Sequence, residues 1–475
     1  MVKVSWQVFA HKLWGWEMEN NLQRQFALLM SSEIEHLKLR LGGSELVEQL
    51  VLLMIVRYKF LDHKFASNAP ALGGWEDFDQ WFGRVIFGGD LGSVGFRELC
   101  FSVLQKTSSS MGMDLGLKKD LWRLWRGLQD LPFEHEGGRQ LIGECFESLL
   151  FMFAESNFGG AGYSYTPRGI VELMTDILQP QSSEALYDPV CGSGGFLTAA
   201  TNYVKKNSGA SGFKVYGEEV SVGSVFIAKA NMLLHGVSEE SIVLSNSISS
   251  FESAVRQDSF DLVMANPPFS MRWNGNGDAD AFEYGVPPRS NADYVFLQRA
   301  LFSLKKDGRG AVIVPTGVLS RGGVEKAIRQ KMLANNNIEA VVSLPANTFY
   351  GTAIAANILL IRRARHESEV LFVDASSFFS KDRNRNIILE EGVGKLAALC
   401  IGRVSEGDVS RLVSLSEIQA NDSNLSVSRY ISNEVVADSM PLDVLVQRQS
   451  ELELQLTNLQ QEMSTLVQSV MGRFS

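Results

Sequence analysis

"YDPVCGSGGFL", residues 187–197, is the stretch whose reading decides the fold. A short apolar run ends on Asp188, three glycines (192, 194 and 195) follow within four positions, and Phe196–Leu197 start a new apolar pattern. Glycines at such a turn let the backbone pass close to a ligand, and the helix that follows offers free N–H groups. Many α/β folds carry a glycine-rich turn after a strand. The turn lacks the Lys-[Ser/Thr] ending of a phosphate-binding loop, and no such motif occurs elsewhere in the chain.

Reading outward, residues 146 to about 375 alternate short β-rich runs with helical stretches. The strand candidates are "ALYDPV", "KVYGEEV", "SIVLSN", "FDLVMANP", "GAVIVP", "IEAVVSLP", "NILLIRR" and "VLFVDA". Helical stretches such as "GGFLTAATNYVKK" and "SVFIAKANMLLHG" lie between the early ones, which predicts a parallel α/β sheet covered on both faces. "VVSLPANTFYGTAIAANILLI" joins two strands without a helix, so the sheet is expected to finish in an antiparallel hairpin.

Two further stretches carry chemistry. "VYGEEV" places Glu218 and Glu219 at the end of the strand after the glycine turn, where a carboxylate can accept hydrogen bonds from both hydroxyls of a ribose. The bland alternative is a solvated acidic pair. "MANPPFS" (264–270) ends a buried strand on Asn266, stiffens it with Pro267 and Pro268, and presents Phe269. An amine on an aromatic ring is a poor nucleophile because its lone pair is delocalised. Two acceptors holding its N–H groups, the Asn266 side-chain carbonyl and the Pro267 backbone carbonyl, favour a pyramidal nitrogen. The prolines fix the loop in advance, and Phe269 can stack on a base swung out of its helix. A strand terminator with a chance aromatic is the competing reading.

Residues 1–145 read as helical. "GSELVEQLVLLMIVRYKFLDHKF" opens on a capping-type Ser44, and Leu117, Leu121, Leu124, Trp125 and Leu128 form one stripe with Lys118, Arg123 and Arg126 around it. A core stripe with solvated arginines is favoured over a basic DNA-facing helix. In residues 440–475, Leu445, Gln449, Leu452, Leu456, Leu459, Met463, Leu466 and Val470 alternate three- and four-residue spacings, a narrow seam that needs a partner helix.

Composition bounds the rest. The 475 residues are 45% hydrophobic and 21% charged, an ordinary globular balance. The densest apolar run, Leu50 to Val56, is too short to span a membrane, and the start of the chain lacks a signal-peptide plan. Scattered Cys100, Cys145, Cys191 and Cys400 have no metal-ligand spacing and point to free thiols in a reducing cytoplasm. With a net charge of −10, phosphate-neutralising charge must be local or come from a partner.

"DPVCGSGGF", "YGEEV" and "NPPF", in this order, resemble the amino-methyltransferases that use S-adenosylmethionine. "GGAGYSYTPRGIVELM" (159–174) is similar to the upstream cofactor motif of the γ-class DNA adenine methyltransferases. "PPRSNADYVFLQRAL" and "LPANTFYGTAIAANILLI" resemble the methylation subunits of type I restriction-modification systems. The likeness runs from about Gly143 to Ala375. It implies a Rossmann-like α/β methyltransferase sheet with an N-terminal helical domain (1–145), a catalytic domain (146–400), a connecting segment (401–439) and a long partner-binding helix (440–475).

Carried over by position, the resemblance implies that Tyr165, Thr166 and Pro167 border the methionine end of S-adenosylmethionine. Asp188, Gly192, Ser193, Gly194 and Gly195 make its loop, and Glu219 holds its ribose, with Glu218 a neighbour. Asn246 stands where the family usually has an aspartate facing the adenine amine, so it accepts without charge assistance. Asn266, Pro267, Pro268 and Phe269 make the target-base pocket, and their form favours adenine N6 over cytosine N4. Transfer is in line, so no cysteine nucleophile is needed. Cys191 and His235 read as packing or capping residues.

Only about 100 residues follow Ala375, with one basic cluster, "KDRNRN", so the chain holds no clear reader of base edges. The implied partners are DNA with an extruded adenine, a specificity subunit, a restriction subunit and a second modification subunit. The alternatives from other classes are a protein glutamine N5-methyltransferase, which also uses an Asn-Pro-Pro-aromatic motif, and a non-catalytic scaffold.

Overall fold

The computed structural model describes residues 21–431, apart from 39, 62–80, 83, 87–91, 111–114, 135–136, 156–164, 210–211, 249–256, 276–281, 350–351, 366 and 383–384. Beyond them it describes Gln449, Glu453, Leu456 and Met463. Two compact units result, Met1–Tyr430 and Ile431–Ser475. Most of the expected heptad seam lies outside the described residues; Leu456 and Met463, which belong to it, are exposed.

The first unit opens with helices α1 (Asn21–Lys38), α2 (Gly43–Lys59), α3 (Val94–Ser110), α4 (Leu115–Asp130) and α5 (Gly138–Glu155). Every residue of α2 from Leu46 to Tyr58 is buried, Glu48, Gln49 and Arg57 included, so it forms the axis on which the other helices pack. Its N-cap is Gly42 rather than Ser44, and the Glu45 carboxylate accepts the Gly42 N–H at 3.2 Å. On α4, Leu117, Leu124, Trp125 and Leu128 are buried. Arg123 pairs with Glu33 at 2.7 Å and Arg126 lies over the Trp122 ring. The stripe is therefore core.

The second part is a nine-stranded sheet in the order β11-β8-β6-β7-β5-β4-β1-β2-β3. Its strands are β1 (Ala185–Asp188), β2 (Lys214–Glu219), β3 (Ile242–Leu244), β4 (Phe260–Ala265), β5 (Leu304–Pro315), β6 (Ile338–Ser343), β7 (Ala356–Arg362), β8 (Val370–Asp374) and β11 (Ser410–Val413). Strands β9 (Phe379–Asp382) and β10 (Arg385–Ile388) pair separately as a hairpin. Helices α6 (Arg168–Leu178), α7 (Gly195–Ser208), α8 (Val222–Leu234), α9 (Asp293–Ser303), α10 (Gly323–Ala334), α11 (Glu390–Gly402) and the short α12 (Leu415–Ala420) accompany it.

All eight expected strands form. The expected closing hairpin does not end the sheet: β7 runs antiparallel between β5 and β6, and β6 pairs on its other side with β8. The reason is burial. Val370 to Val373 are buried in succession, the pattern of an interior strand covered on both faces, and β11, within the 401–439 segment, pairs along its outer edge.

Among the described residues the two largest apolar cores lie among the N-terminal helices and around the sheet, and α8 belongs to both; a smaller cluster gathers Ile248, Trp273, Phe282, Ala292, Val295 and Phe296. Phe226, Ile227, Ala230 and Leu234 face the helical core, while Val225, Ala228 and Met232 face the sheet core. The strand order reverses between β1 and β4, which opens a crevice at their C-terminal ends. Among the described residues, no helix is long and apolar enough to cross a membrane, and no cluster could hold a metal ion.

Candidate functional site

The crevice is walled by the loops after β1, β2, β3 and β4. At the end of β1, Asp188 is buried; one carboxylate oxygen accepts the Val190 N–H at 3.0 Å, and Oδ2 is buried without a partner. Burial pushes this carboxyl up to about 8, against the opposing pull of the Val190 N–H, and nearby Glu219 adds to the rise. Gly192 (φ 53°) and Gly194 (φ 81°) take the left-handed conformation that glycine adopts freely. A Cβ on Gly194 would also stand 2.9 Å from the Met232 methyl. The Cys191 thiol is buried and raised well above its usual range by desolvation, so it packs rather than attacks.

Glu219 ties the glycine loop to the next turn. Its Oε2 accepts the Gly192 N–H at 3.1 Å and its Oε1 the Ser221 N–H at 2.8 Å. Glu218 points elsewhere: it is fully buried, accepts from the Tyr187 hydroxyl at 3.2 Å and lies 3.6 Å from Arg299. Alternation along a strand sends neighbours to opposite faces, so only one acid of the pair reaches the crevice. Val220, 67% exposed, follows directly. Asn246 is exposed just beyond β3, and its side-chain carbonyl accepts the Ile248 N–H at 3.1 Å.

Asn266 begins the loop after β4. Its side-chain N–H donates to the Thr166 hydroxyl at 3.0 Å, across 100 positions of sequence. Pro267 is buried and Pro268 exposed, and the half-buried Phe269 ring meets Phe349 edge-on at 6.0 Å. Ser270 sits at φ 53° and donates its N–H to Asp293 at 3.1 Å, while Arg321 pairs with the other Asp293 oxygen. The loop continues alongside residues 288–292: the Ala292 N–H reaches the Met271 carbonyl at 2.8 Å, and the Trp273 backbone N–H reaches the Arg289 carbonyl at 3.1 Å.

Tyr165 turns its ring toward Phe151 at 6.3 Å and packs against the helical core. Pro167 caps α6, its carbonyl accepting the Ile170 and Val171 N–H groups. His235 closes α8 as a buried cap, its Nδ1 2.9 Å from the Asn231 carbonyl.

The crevice thus places Asp188 beside the Gly192–Gly195 loop, which Glu219 holds through the Gly192 N–H, and joins Asn266 to Thr166 at the adjoining strand end. Sequence reasoning missed the Thr166–Asn266 bond, the Asp293–Arg321 anchor and the Phe349 ring. Asp293 and Phe349 lie inside two stretches already singled out for their resemblance, but nothing in a linear pattern announces their contacts.

The family model described as N-6 DNA Methylase matches residues 137–439, more than half of the chain. The chain is 25% identical over 347 residues to the type I restriction enzyme MpnII methylase subunit of Mycoplasma pneumoniae, covering 69% of this chain and 64% of that one. It is 30% identical over 321 residues to the HindI methylase subunit of Haemophilus influenzae, covering 65% and 72%. The match thus spans a little under two-thirds of the MpnII subunit's own length. In fold, the chain is similar to the methyltransferase subunit of a type I restriction-modification system from Streptococcus thermophilus. That likeness has a TM-score of 0.69 and 24% identity and covers 87% of this chain and all of that one.

Proposed function

The chain belongs to the N-6 DNA methylase family, and from that premise we propose that it methylates the N6 amino group of adenine in DNA. The donor is S-adenosylmethionine, and the chain acts as the modification subunit of a type I complex. A specificity subunit chooses the target, a restriction subunit cuts, and a second modification subunit joins the assembly. The observation that carries this reading is the pairing at the switch point. A glycine loop with a buried, unpartnered carboxylate oxygen on Asp188 lies beside the Asn266–Phe269 tip of the adjacent strand.

The residues present fit the donor. The orphaned Asp188 oxygen suits an ammonium, such as the methionine end of S-adenosylmethionine offers, whose positive charge would favour loss of the carboxyl's proton on binding. Glu219, already accepting two backbone N–H groups, keeps further lone pairs for a ribose. Gly192 and Gly194 allow close backbone approach, and exposed Val220 offers an apolar surface beside Glu219. Asn246 presents a neutral acceptor. When bound, this cofactor supplies a sulfonium-activated methyl group.

The chain's own part is to hold the nucleophile. The Asn266 carbonyl and the Pro267 backbone carbonyl accept the two N–H groups of the adenine amine and free its lone pair. Phe269 stacks on the extruded base. The test is transfer of tritiated methyl groups to DNA by the complete complex. Asn266→Ala is expected to lower turnover by about a hundredfold or more while leaving cofactor binding near the parent value. Undiminished turnover, or label appearing on protein instead of DNA, would defeat the reading.

A further inference from the structure

We propose that Arg272 and Arg289 hold the phosphates beside the extruded adenine, giving a chain of net charge −10 local positive charge at the mouth of its target-base pocket. The inference rests on the assignment of Asn266–Phe269 to that pocket and extends it from the base to the backbone of the DNA strand.

Burial alternates along the loop after β4. Phe269 and Met271 are half-buried and Trp273 is buried, whereas Pro268, Ser270, Arg272 and Asn274 are exposed. Met271 and Trp273 pack into the small cluster with Phe282, Val295 and Phe296, which leaves Arg272, between them, facing solvent. Residues 288–292 run beside the same loop. Besides the two backbone bonds at Met271 and Trp273, the Trp273 indole N–H reaches the Pro288 carbonyl at 3.0 Å. Exposed Arg289 is thereby fixed across from Trp273. A Cβ on Gly275 (φ 76°) would stand 2.4 Å from Arg289 Nε, so this side chain lies over that glycine.

Arg272 follows Phe269 by three positions, at most about 10 Å of extended chain, which keeps its guanidinium within reach of the nucleotides flanking a base stacked on Phe269. Charge pairing separates the two arginines from their neighbours. Arg299, Arg309, Arg321, Arg362, Arg363 and Arg411 each pair with a carboxylate. Among the described residues, neither Arg272 nor Arg289 does. A guanidinium without a carboxylate presents a planar fork of donors that matches a phosphate. Phosphate contacts carry no sequence information, so this grip leaves target choice to the specificity subunit.

Arg272→Ala, Arg289→Ala and the double variant, each in the complete complex, test this by the salt dependence of binding to a fluorescent duplex that the parent complex methylates. Lys306→Ala is the control: it removes one exposed charge near the start of β5, at the end of the sheet away from the crevice. Each arginine removed is expected to weaken binding and to flatten the slope of log affinity against log salt by about one per modification subunit on the DNA. The parent's loss of affinity between about 50 and 200 mM salt then shrinks by about threefold. Arg272→Lys keeps the charge and is expected to keep the slope, and calorimetry with S-adenosylmethionine is expected to give the parent affinity throughout. A double variant with the parent slope, or a slope flattened as much by Lys306→Ala, would overturn the proposal. Loss of co-purification with the specificity subunit would also overturn it, by assigning the arginines to a protein contact. A parent complex that transfers no methyl group to DNA defeats the proposed function and this inference together, whereas variants of an active complex can defeat this inference alone.

Discussion

Asp188 is the residue whose titration should be visible in the whole protein. Its carboxyl keeps its proton to about 8 when folded, because burial disfavours the charged form, whereas an unfolded carboxylate loses it near 4. Between those limits the folded state binds more protons than the unfolded one. The stabilising contribution is therefore complete at low pH and is lost as pH rises through about 8. The size is on the order of a few kcal/mol. Asp188→Asn removes the titrating group, so urea midpoints measured at about pH 5 and about pH 8 should differ less in the variant than in the parent. Equal differences in both would show that Asp188 is not the titrating group. Glu218 and Glu219 show how far single residues could be read beforehand. The sequence placed an acid at the end of β2, but which of two adjacent acids faces the crevice depends on the pleat phase. That phase is fixed by Tyr187 and Arg299, distant in sequence, which bury Glu218.

At the scale of elements, β2 and the glycine loop are fitted to each other at Gly217. A Cβ there would lie 2.9 Å from each of Cys191 Sγ, Leu197 Cδ1 and Ile242 Cδ1, all buried side chains. Gly217→Ala is accordingly expected to destabilise the fold by about 1–3 kcal/mol. It should also weaken S-adenosylmethionine binding, since Cys191, one of the three side chains it would displace, belongs to the glycine loop. Chemical denaturation together with calorimetry checks both, and an unchanged stability would mean that the loop gives way freely. The eight strands were legible because each is a β-branched or aromatic run bounded by turn residues. Their lateral order was not. That β7 inserts between β5 and β6 follows from pairing between segments, and β11, "SRLV", is too short and mixed to declare itself. The glycine loop and the Asn266 tip were legible because their chemistry sits in contiguous residues. Thr166 and Asp293 were not recognised as their supports, since each acts through a contact formed only on folding.

For the molecule as a whole, the division of labour follows from charge and from the unit boundary. A chain of net charge −10 is repelled by DNA at long range, so the charge that neutralises phosphates must be local or come from a partner. The attachment expected for that partner is the 440–475 seam, in the unit that begins at Ile431. The hydrophobic cores of the described residues lie within Met1–Tyr430, and Tyr430 itself lies against Phe372, ring centroids 4.2 Å apart and planes tilted by 34°. The first unit therefore has what it needs to fold without the seam. Deleting 440–475 should leave the thermal midpoint of the remaining chain essentially in place, because the described residues of that stretch, Gln449, Glu453, Leu456 and Met463, are all exposed. The same deletion should abolish co-purification with the specificity subunit and, with it, tight DNA binding by the mixture. A narrow apolar stripe on a polar helix has no stability of its own, and its leucines gain only when another helix covers them. A truncated chain that still co-purified with the specificity subunit would place the attachment on the Met1–Tyr430 unit. The charge argument would then require a basic surface there to meet the DNA.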